Sequence, residues 1–336
     1  MKILISSHAF APSVGGIETV TQLLANEFVR LGHEVSVLTQ TPADNGQTFS
    51  YPVIRQPPVA ELGRALAGCD IFWQNNLSLR TLWPVTFLRR PVVITHQGSY
   101  CRKPAGLDLY QRVKHAAVNH HASVAISRAV AKCFQTESLI IPNPYDSEVF
   151  RRPASDAERT RELIFLGRLV SEKGIDLLLQ SLERLKARQL APCLTIVGSG
   201  PERTALEQLT TRLGLDGQVI FAGPLQGAPL VRALQGHRIL VVPSRYDEPF
   251  GVVALEGIAC GCAVVGSSGG GLPEAIGPCG LTFPNGDVNA LSEQLASLLL
   301  RREEWERLRG NASSHLANFR AEVIAQRYLE LFRKLL

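Results

Sequence analysis

Two carboxylates, Glu248 and Glu256, stand eight positions apart in the stretch VVPSRYDEPFGVVALEGIACGCAVVGSSGGGLPE, residues 241–274. The apolar run Ile239 to Val242 predicts a short strand ending at Pro243 and Ser244, and Arg245 to Pro249 predicts a polar loop. Phe250-Gly251-Val252 then opens a helix reaching about Cys260. Glu248 sits in the loop and Glu256 roughly two turns inside the helix, so at about 100° per residue the two can face one pocket from different depths. A carboxylate accepts hydrogen bonds from two hydroxyls at once, and such a pair suits a ligand with two polyol pieces. Taken bare, the same spacing also describes an ordinary surface acid and an ordinary helix acid. The Pro-Phe-Gly between them tips the reading toward a site, as does the run Gly269-Gly270-Gly271 behind the strand Ala263 to Gly266. Strand, loop and helix in that order place backbone N–H groups and helix N-termini at the carboxyl edge of a parallel sheet, where anionic or polar ligands bind.

Cations occur at a second such turn. The strand Leu163 to Gly167 runs into Arg168, then Lys173 and Gly174, ahead of a helix with Ile175, Leu177, Leu178, Leu179 and Leu182 on its apolar side. A guanidinium fork and an ammonium point charge at the two ends of one turn can clamp a diphosphate; without context they are two surface bases. Gly15-Gly16 closes the loop His8 to Gly16 before a helix over Ile17 to Leu31, itself ended by Gly32. A Gly-Gly pair there lets the backbone approach a phosphate, or makes a plain tight turn. His96 ends the apolar strand Val92 to Thr95, ahead of Gln97-Gly98, and a histidine at that place points into a ligand crevice or sits as a satisfied edge residue. Gly198-Ser199-Gly200-Pro201-Glu202-Arg203 half-matches the dinucleotide fingerprint, but Arg203 stands where the third glycine belongs and the segment lies mid-chain. NAD binding is therefore rejected. A nucleotide wall or structural turn at Gly198 and Gly200 fits better, with Pro224 and Leu225 after the strand Val219 to Gly223 bordering the base.

The elements that must carry these groups alternate. Lys2 to Ser7, Glu34 to Gln40, Asp70 to Gln74, Val92 to Gln97, Ser123 to Ser127 and Ser138 to Asn143 read as strands, with helical stretches between several of them. Leu163 to Gly167, Leu194 to Ser199, Val219 to Gly223, Ile239 to Val242, Ala263 to Gly266 and Gly280 to Pro284 repeat the rhythm. This is the βαβ order of doubly wound parallel sheets. The polar segment Ser147 to Thr160 reads as a linker, and Ala321 to Leu336 as an amphipathic last helix.

Composition sets the outer limits. A chain of 336 residues with 45% hydrophobic and 19% charged residues has material for two globular domains. A net charge of +5 suits an anionic ligand or surface but is too small to argue for nucleic acid. The seven scattered cysteines show no Cys-x-x-Cys and no zinc spacing, so they read as reduced core residues of a cytosolic protein with no metal site. Ile3-Leu4-Ile5 is too short a run for a signal peptide, and no run reaches the roughly 18 apolar residues of a membrane span. Between Asn75 and Lys114, Arg80, Trp83, Phe87, Arg89, Arg90, Tyr100, Arg102, Lys103, Arg112 and Lys114 mix aromatic and cationic positions against Asp108 alone. The Arg80–Arg90 part reads as a solvated helix face, or as an interfacial patch for anionic lipid or an anionic acceptor.

Asp247-Glu248-Pro249-Phe250-Gly251 followed by Glu256-Gly257 resembles the Glu-x7-Glu signature of the retaining glycosyltransferases of family 4, which have the GT-B fold. The Gly15-Gly16 loop, the Gly167-Arg168…Lys173-Gly174 turn and His96 match the family's other motifs in order. Ile141-Pro142-Asn143-Pro144-Tyr145-Asp146 is similar to its hinge, but Pro144 replaces a glycine, which stiffens the backbone there. The resemblance implies two Rossmann-like doubly wound domains facing a cleft: an acceptor-side domain over 1–147, a nucleotide-sugar domain over 148–318, and a last helix over 319–336 packing back on the first. It implies that Glu248 and the backbone of Phe250, Gly251 and Val252 meet the donor sugar, Glu256 the ribose, and Gly15, Gly16, Arg168 and Lys173 the diphosphate. His96 then faces the reacting sugar. The function expected is retaining transfer of a hexosyl unit from a UDP- or GDP-sugar to a glycan, lipid-linked or small-molecule acceptor, without cofactor or metal. Cytoplasmic placement, peripheral contact with the inner face of the membrane and a role in cell-envelope or polysaccharide synthesis go with it. The alternatives are a sugar-nucleotide epimerase on the same fold and a non-catalytic sugar-nucleotide binder.

Overall fold

Short runs of β-branched and aliphatic residues become strands buried on both faces, which is what a parallel sheet covered by helices requires. The computed structural model describes residues 1–13, 15–43, 46, 48–85, 90–98, 120–134, 137–153 and 159–336. By their contacts these residues form two units, Met1–Pro144 with Phe319–Leu336, and Tyr145–Asn318.

In the first unit the strands are β1 (Lys2–Ser6), β2 (Glu34–Thr39), β3 (Val53–Arg55), β4 (Ile71–Asn75), β5 (Val92–His96), β6 (Ala122–Ala125) and β7 (Leu139–Ile140). They pair in the order β3-β2-β1-β4-β5-β6-β7, every pair parallel. The edge strand β3 has no signal in the sequence. It is three half-buried residues long, too short for a pattern, and exists because Val53 pairs with Val37 on β2. Helix α1 (Gly16–Arg30) turns Val20, Leu24 and Phe28 inward. The last helix, Ala321–Leu335, packs beside it: Phe332 lies 5.8 Å from Phe28 and Tyr328 lies 4.9 Å from Trp73, ring centre to ring centre. Thr95 Oγ1 accepts from Trp73 Nε1 and shares a hydrogen bond with the Tyr328 hydroxyl, both at 2.9 Å. The helix Ala321–Leu335 thereby completes the first unit's core.

In the second unit β8 (Arg161–Leu166), β9 (Leu194–Val197), β10 (Val219–Gly223), β11 (His237–Val242), β12 (Ala263–Ser267) and β13 (Gly280–Phe283) pair in the order β10-β9-β8-β11-β12-β13, again all parallel. Its helices include α2 (Ile175–Ala187), α3 (Val252–Ala259), α4 (Leu272–Ile276) and α5 (Val288–Leu300). Leu163, Phe165, Ile239 and Val241 of the sheet, Leu178 and Leu182 of α2 and Leu291 and Leu295 of α5 share one core. The linker segment Ser147 to Thr160 includes residues 154–158, which lie outside the described residues.

The cysteines do not all match the reading of reduced core residues. Cys69, Cys260, Cys262 and Cys279 are free and buried, but Cys193 is exposed and Cys133 is disulfide-bonded. Cys260 and Cys262 flank Gly261, whose φ of +87° only glycine adopts readily. Arg309 Nε donates to the Gly261 carbonyl at 2.8 Å and stacks on Trp305 at 4.1 Å, so this turn is a packing device.

Candidate active site

The strand order of the second unit reverses between β8 and β11. Chain leaving β8 moves toward β9 and β10, and chain leaving β11 moves toward β12 and β13. Loops that diverge this way leave a crevice outside the carboxyl ends of the two strands, the usual ligand site of open α/β sheets. Lys173 lies on the loop after β8 and Glu248 on the loop after β11. The two loops are stitched together by backbone. Gly174 has φ +66°, and a Cβ there would come within 2.0 Å of the Pro243 carbonyl oxygen. The Arg245 N–H donates to the Glu172 carbonyl at 2.8 Å.

This stitching brings opposite charges together. Lys173 Nζ donates to Glu248 Oε1 at 2.6 Å. Ser244 Oγ donates to the same oxygen at 2.6 Å, and the Tyr246 hydroxyl donates to Oε2 at 2.5 Å. Lys173 Nζ also donates to the Tyr246 oxygen at 3.1 Å and stands 5.1 Å from the ring centre. Glu248 is 6% exposed, so its carboxylate depends on these donors. Burial, and after it the Glu248 charge, push the Tyr246 phenol above its usual range. Arg168 is exposed, and its charge is felt at Tyr246 in the opposite sense.

Glycines bring the remaining backbone close. Glu248 and Gly270 form an isolated parallel bridge, and the Gly271 N–H donates to the Glu248 carbonyl at 2.6 Å. Asn285 Oδ1 accepts from the Gly269 N–H at 2.8 Å, tying the same loop to the turn after β13. Gly251, at φ +105°, is the N-cap of α3, and a Cβ on it would meet Leu272 Cδ1 of α4 at 2.5 Å. The Phe250 ring is buried, while Val252 is half-buried and opens the helix. The first N–H groups of a helix have no partner within it, which suits hydroxyl or phosphate oxygens. Glu256 lies in the second turn of α3, half-buried; burial first, then the Asp146 charge, push its carboxyl up to about 7.

Gly198 and Gly200 have a packing reason of their own. A Cβ at Gly198 would come within 1.8 Å of the Gly167 oxygen, and one at Gly200 within 2.3 Å of the Leu169 oxygen. The Leu169 N–H donates to the Ser199 carbonyl at 2.9 Å. These glycines press their loop onto the turn that carries Arg168. Pro224 is exposed and Leu225 half-buried, just past β10.

The first unit carries the other predicted groups. Gly15 is the extended N-cap of α1, and the Glu18 carboxylate lies beside it: a Cβ on Gly15 would meet Glu18 Oε2 at 2.6 Å. Gly16 begins the helix with open space around it. His96 is fully buried; its Nε2 shares a hydrogen bond with Ser123 Oγ at 3.1 Å and its ring stacks on Phe134 at 3.9 Å. Gln97 exchanges two hydrogen bonds with Asn143, at 3.0 and 2.8 Å, and donates to Asn75 Oδ1 at 2.7 Å. The segment similar to the family hinge is thus fastened to the ends of β4 and β5 by amides. Of the basic stretch, Arg80 is exposed, Trp83 is half exposed and Arg90 donates to the Ala67 carbonyl at 2.6 Å. Phe87, Arg89, Tyr100, Arg102, Lys103, Asp108, Arg112 and Lys114 lie outside the described residues.

Sequence reasoning missed Ser244, Tyr246 and Asn285. Ser244 and Tyr246 stand four and two residues before Glu248 in one short loop, where alternate side chains can turn to one side. Nothing local marks Asn285. Among the described residues no group of three or more His, Cys, Asp and Glu is placed to hold a metal, and no helix is long and apolar enough to cross a membrane.

Comparison with known proteins gives this geometry its context. Residues 146–315 match the family model described as glycosyl transferases group 1. An uncharacterized glycosyltransferase of Methanocaldococcus jannaschii is 41% identical over 127 residues, 38% of this chain and 32% of that one. The chain therefore spans about a third of that relative's length. A GDP-mannose-dependent alpha-(1-6)-phosphatidylinositol monomannoside mannosyltransferase of Mycolicibacterium smegmatis is 26% identical over 344 residues, 88% of this chain and 89% of that one. Among solved structures, Anabaena HepE in complex with UDP superposes with a TM-score of 0.84 at 22% identity, covering 100% of both chains. At that identity the likeness speaks for the fold.

Proposed function

The chain belongs to the group 1 glycosyl transferases, and from that premise we propose that it is a retaining hexosyltransferase of family 4 that moves a sugar from a UDP- or GDP-sugar to a glycan, lipid-linked or small-molecule acceptor. The observation that carries this reading is the pairing of Lys173 with Glu248 at the point where the second sheet reverses. A cation and a carboxylate side by side match the two halves of a sugar nucleotide: the ammonium for the diphosphate, the carboxylate for sugar hydroxyls.

In this proposal Lys173 and the exposed Arg168 neutralise the diphosphate as it leaves; the family resemblance gives the backbone N–H groups at Gly15 and Gly16 a diphosphate role as well. Preorganised charge of this kind commonly supplies two to three powers of ten in rate per group. Glu248 and the backbone of Phe250, Gly251 and Val252 hold the sugar, and Glu256 takes the ribose hydroxyls. The family resemblance assigns His96 to the reacting sugar; its Nε2 shares a hydrogen bond with Ser123 Oγ. Gly198, Gly200, Pro224 and Leu225 border the nucleotide. No cofactor or metal is needed for such a transfer. The mycobacterial relative is named for GDP-mannose and the Anabaena neighbour holds UDP, which supports both bases as candidates and a glycolipid as one acceptor class. Contact with anionic lipid through the Arg80–Arg90 region belongs to the same reading, as does action at the cytoplasmic face of a membrane in envelope or polysaccharide synthesis.

The test is calorimetric titration with UDP-, GDP- and ADP-hexoses, followed by transfer assays on the donor that binds and magnetic-resonance assignment of the product's anomeric configuration. One base should be selected, and configuration should be retained. Binding to none of the donors would sink the reading; donor isomerised without acceptor would favour an epimerase, and binding without turnover across a broad acceptor panel a non-catalytic binder.

A further inference from the structure

Tyr246 lies between the two charged groups of the site. Its single hydroxyl proton goes to Glu248 Oε2 at 2.5 Å, and its oxygen accepts from Lys173 Nζ at 3.1 Å. One phenol thus bridges an ammonium and a carboxylate that also touch each other at 2.6 Å. Glu248 Oε1 already accepts from both Lys173 and Ser244, which uses its two lone pairs. Oε2 accepts from Tyr246 among these donors, leaving a place for one hydroxyl. In this arrangement the two charges neutralise one another.

That arrangement makes the two halves of a sugar nucleotide interdependent. A diphosphate that draws Lys173 toward itself takes the cation from a carboxylate that is 6% exposed, and a buried charge stripped of its partner is costly. A sugar hydroxyl donated to Oε1 replaces the lost hydrogen bond. Free nucleotide bears that cost, and the sugar nucleotide offsets it. Such an exchange works only if the carboxylate keeps its orientation while the lysine departs. Ser244 holds one oxygen and Tyr246 the other, from a loop fixed by the Arg245–Glu172 and Glu248–Gly271 backbone bonds.

We infer that Tyr246 is a positioning residue that couples recognition of the donor's diphosphate to recognition of its sugar, by holding Glu248 in place while Lys173 passes from the carboxylate to the phosphate. The inference rests on the donor-site reading above. Burial and the Glu248 charge hold the phenol above its ordinary range, so it stays a proton donor throughout the neutral pH range. Phenylalanine at this position keeps the ring under the ammonium and removes only the bridge.

The experiment compares wild type with Tyr246→Phe by calorimetry, using UDP and GDP beside UDP-glucose, UDP-galactose and GDP-mannose, with thermal melting as the check on folding. Tyr246→Phe is expected to melt within a few degrees of wild type and to bind the free nucleotide within about threefold of wild type. Its preference for the sugar nucleotide over the free nucleotide should fall by about tenfold, the size of one hydrogen bond to a charged group. Loss of affinity for both ligands alike would mean that the phenol only builds the pocket, and unchanged affinity for both would mean that it holds nothing; either overturns the coupling and leaves the donor site standing. Binding of none of the five ligands by wild type would overturn the donor site itself, and the coupling with it.

Discussion

Gly270 lies so close to Glu248 that a Cβ on the glycine would come within 2.1 Å of the Glu248 carbonyl oxygen, and the two residues form the bridge that fixes the acid's loop. Gly270 also has φ +72°, in the left-handed region. Gly270→Ala should introduce about 1–3 kcal/mol of backbone strain and push the Glu248 loop outward. The expected result is a lower melting temperature with at least about a tenfold loss of donor affinity, a free-energy change of about 1.4 kcal/mol. An alanine variant with wild-type donor binding would show that this contact does not set the site.

Lys173→Met strands the Glu248 carboxylate among neutral donors, and breaking a buried pair from one side commonly costs about 3–5 kcal/mol. Lys173 is 19% exposed at its side chain, so the lower end applies. The double variant Lys173→Met/Glu248→Gln removes both charges and should recover most of the lost stability in a melting experiment. Donor affinity should stay low in single and double variants alike, by roughly 1.5–3 kcal/mol, since the proposed charge-assisted contact to phosphate is gone. Recovery of binding in the double variant would contradict the assignment of Lys173 to the diphosphate.

The Glu256 carboxyl should make the second unit's stability depend on pH. Burial, aided by the Asp146 charge, raises its carboxyl from its ordinary 4.5 to about 7 in the folded chain. Between those values the folded state binds the proton that the unfolded state has released, so stability falls as pH rises from about 4.5 to about 7 and stays at its lower level above. The effect is at most about 3 kcal/mol at about 1.4 kcal/mol per unit, less because the residue is only half-buried. Glu256→Gln should remove this slope and protect the β11 and β12 amides better than wild type at pH 8, as read by hydrogen exchange. Identical pH profiles for the two proteins would rule it out.

Phe332 is fully buried in the last helix, against Phe28 of α1. Phe332→Ala should cost about 3–5 kcal/mol by opening a cavity between two helices whose facing residues lie more than 300 positions apart in sequence. Hydrogen exchange should quicken in β4, β5 and α1 and stay unchanged in β8 to β13. Uniform protection across both units would contradict the placement of this helix in the first unit's core.

Much of this protein is legible in the sequence, for a physical reason. The apolar runs at Val92 to Thr95 or Ala263 to Gly266 are local patterns, and a parallel strand buried on both faces needs little else to declare itself. Glycine and proline punctuation places the loops, so the sequence alone sets Lys173 on one turn, Glu248 on another and Glu256 on the helix behind it. What no local pattern contains is which loops meet. That depends on strand order, and the reversal between β8 and β11 brings Lys173 to Glu248 across 75 residues and seats Tyr246 and Ser244 on the same carboxylate. The same nonlocal packing shows Gly198 and Gly200 to be backbone spacers under the Arg168 turn. It also encloses His96 between Ser123 and Phe134, although its place at a strand's end suggested an open crevice. Residue types and spacing determine the elements and the chemistry they can carry; pairing among distant strands and loops decides which of those groups are brought within a hydrogen bond of one another.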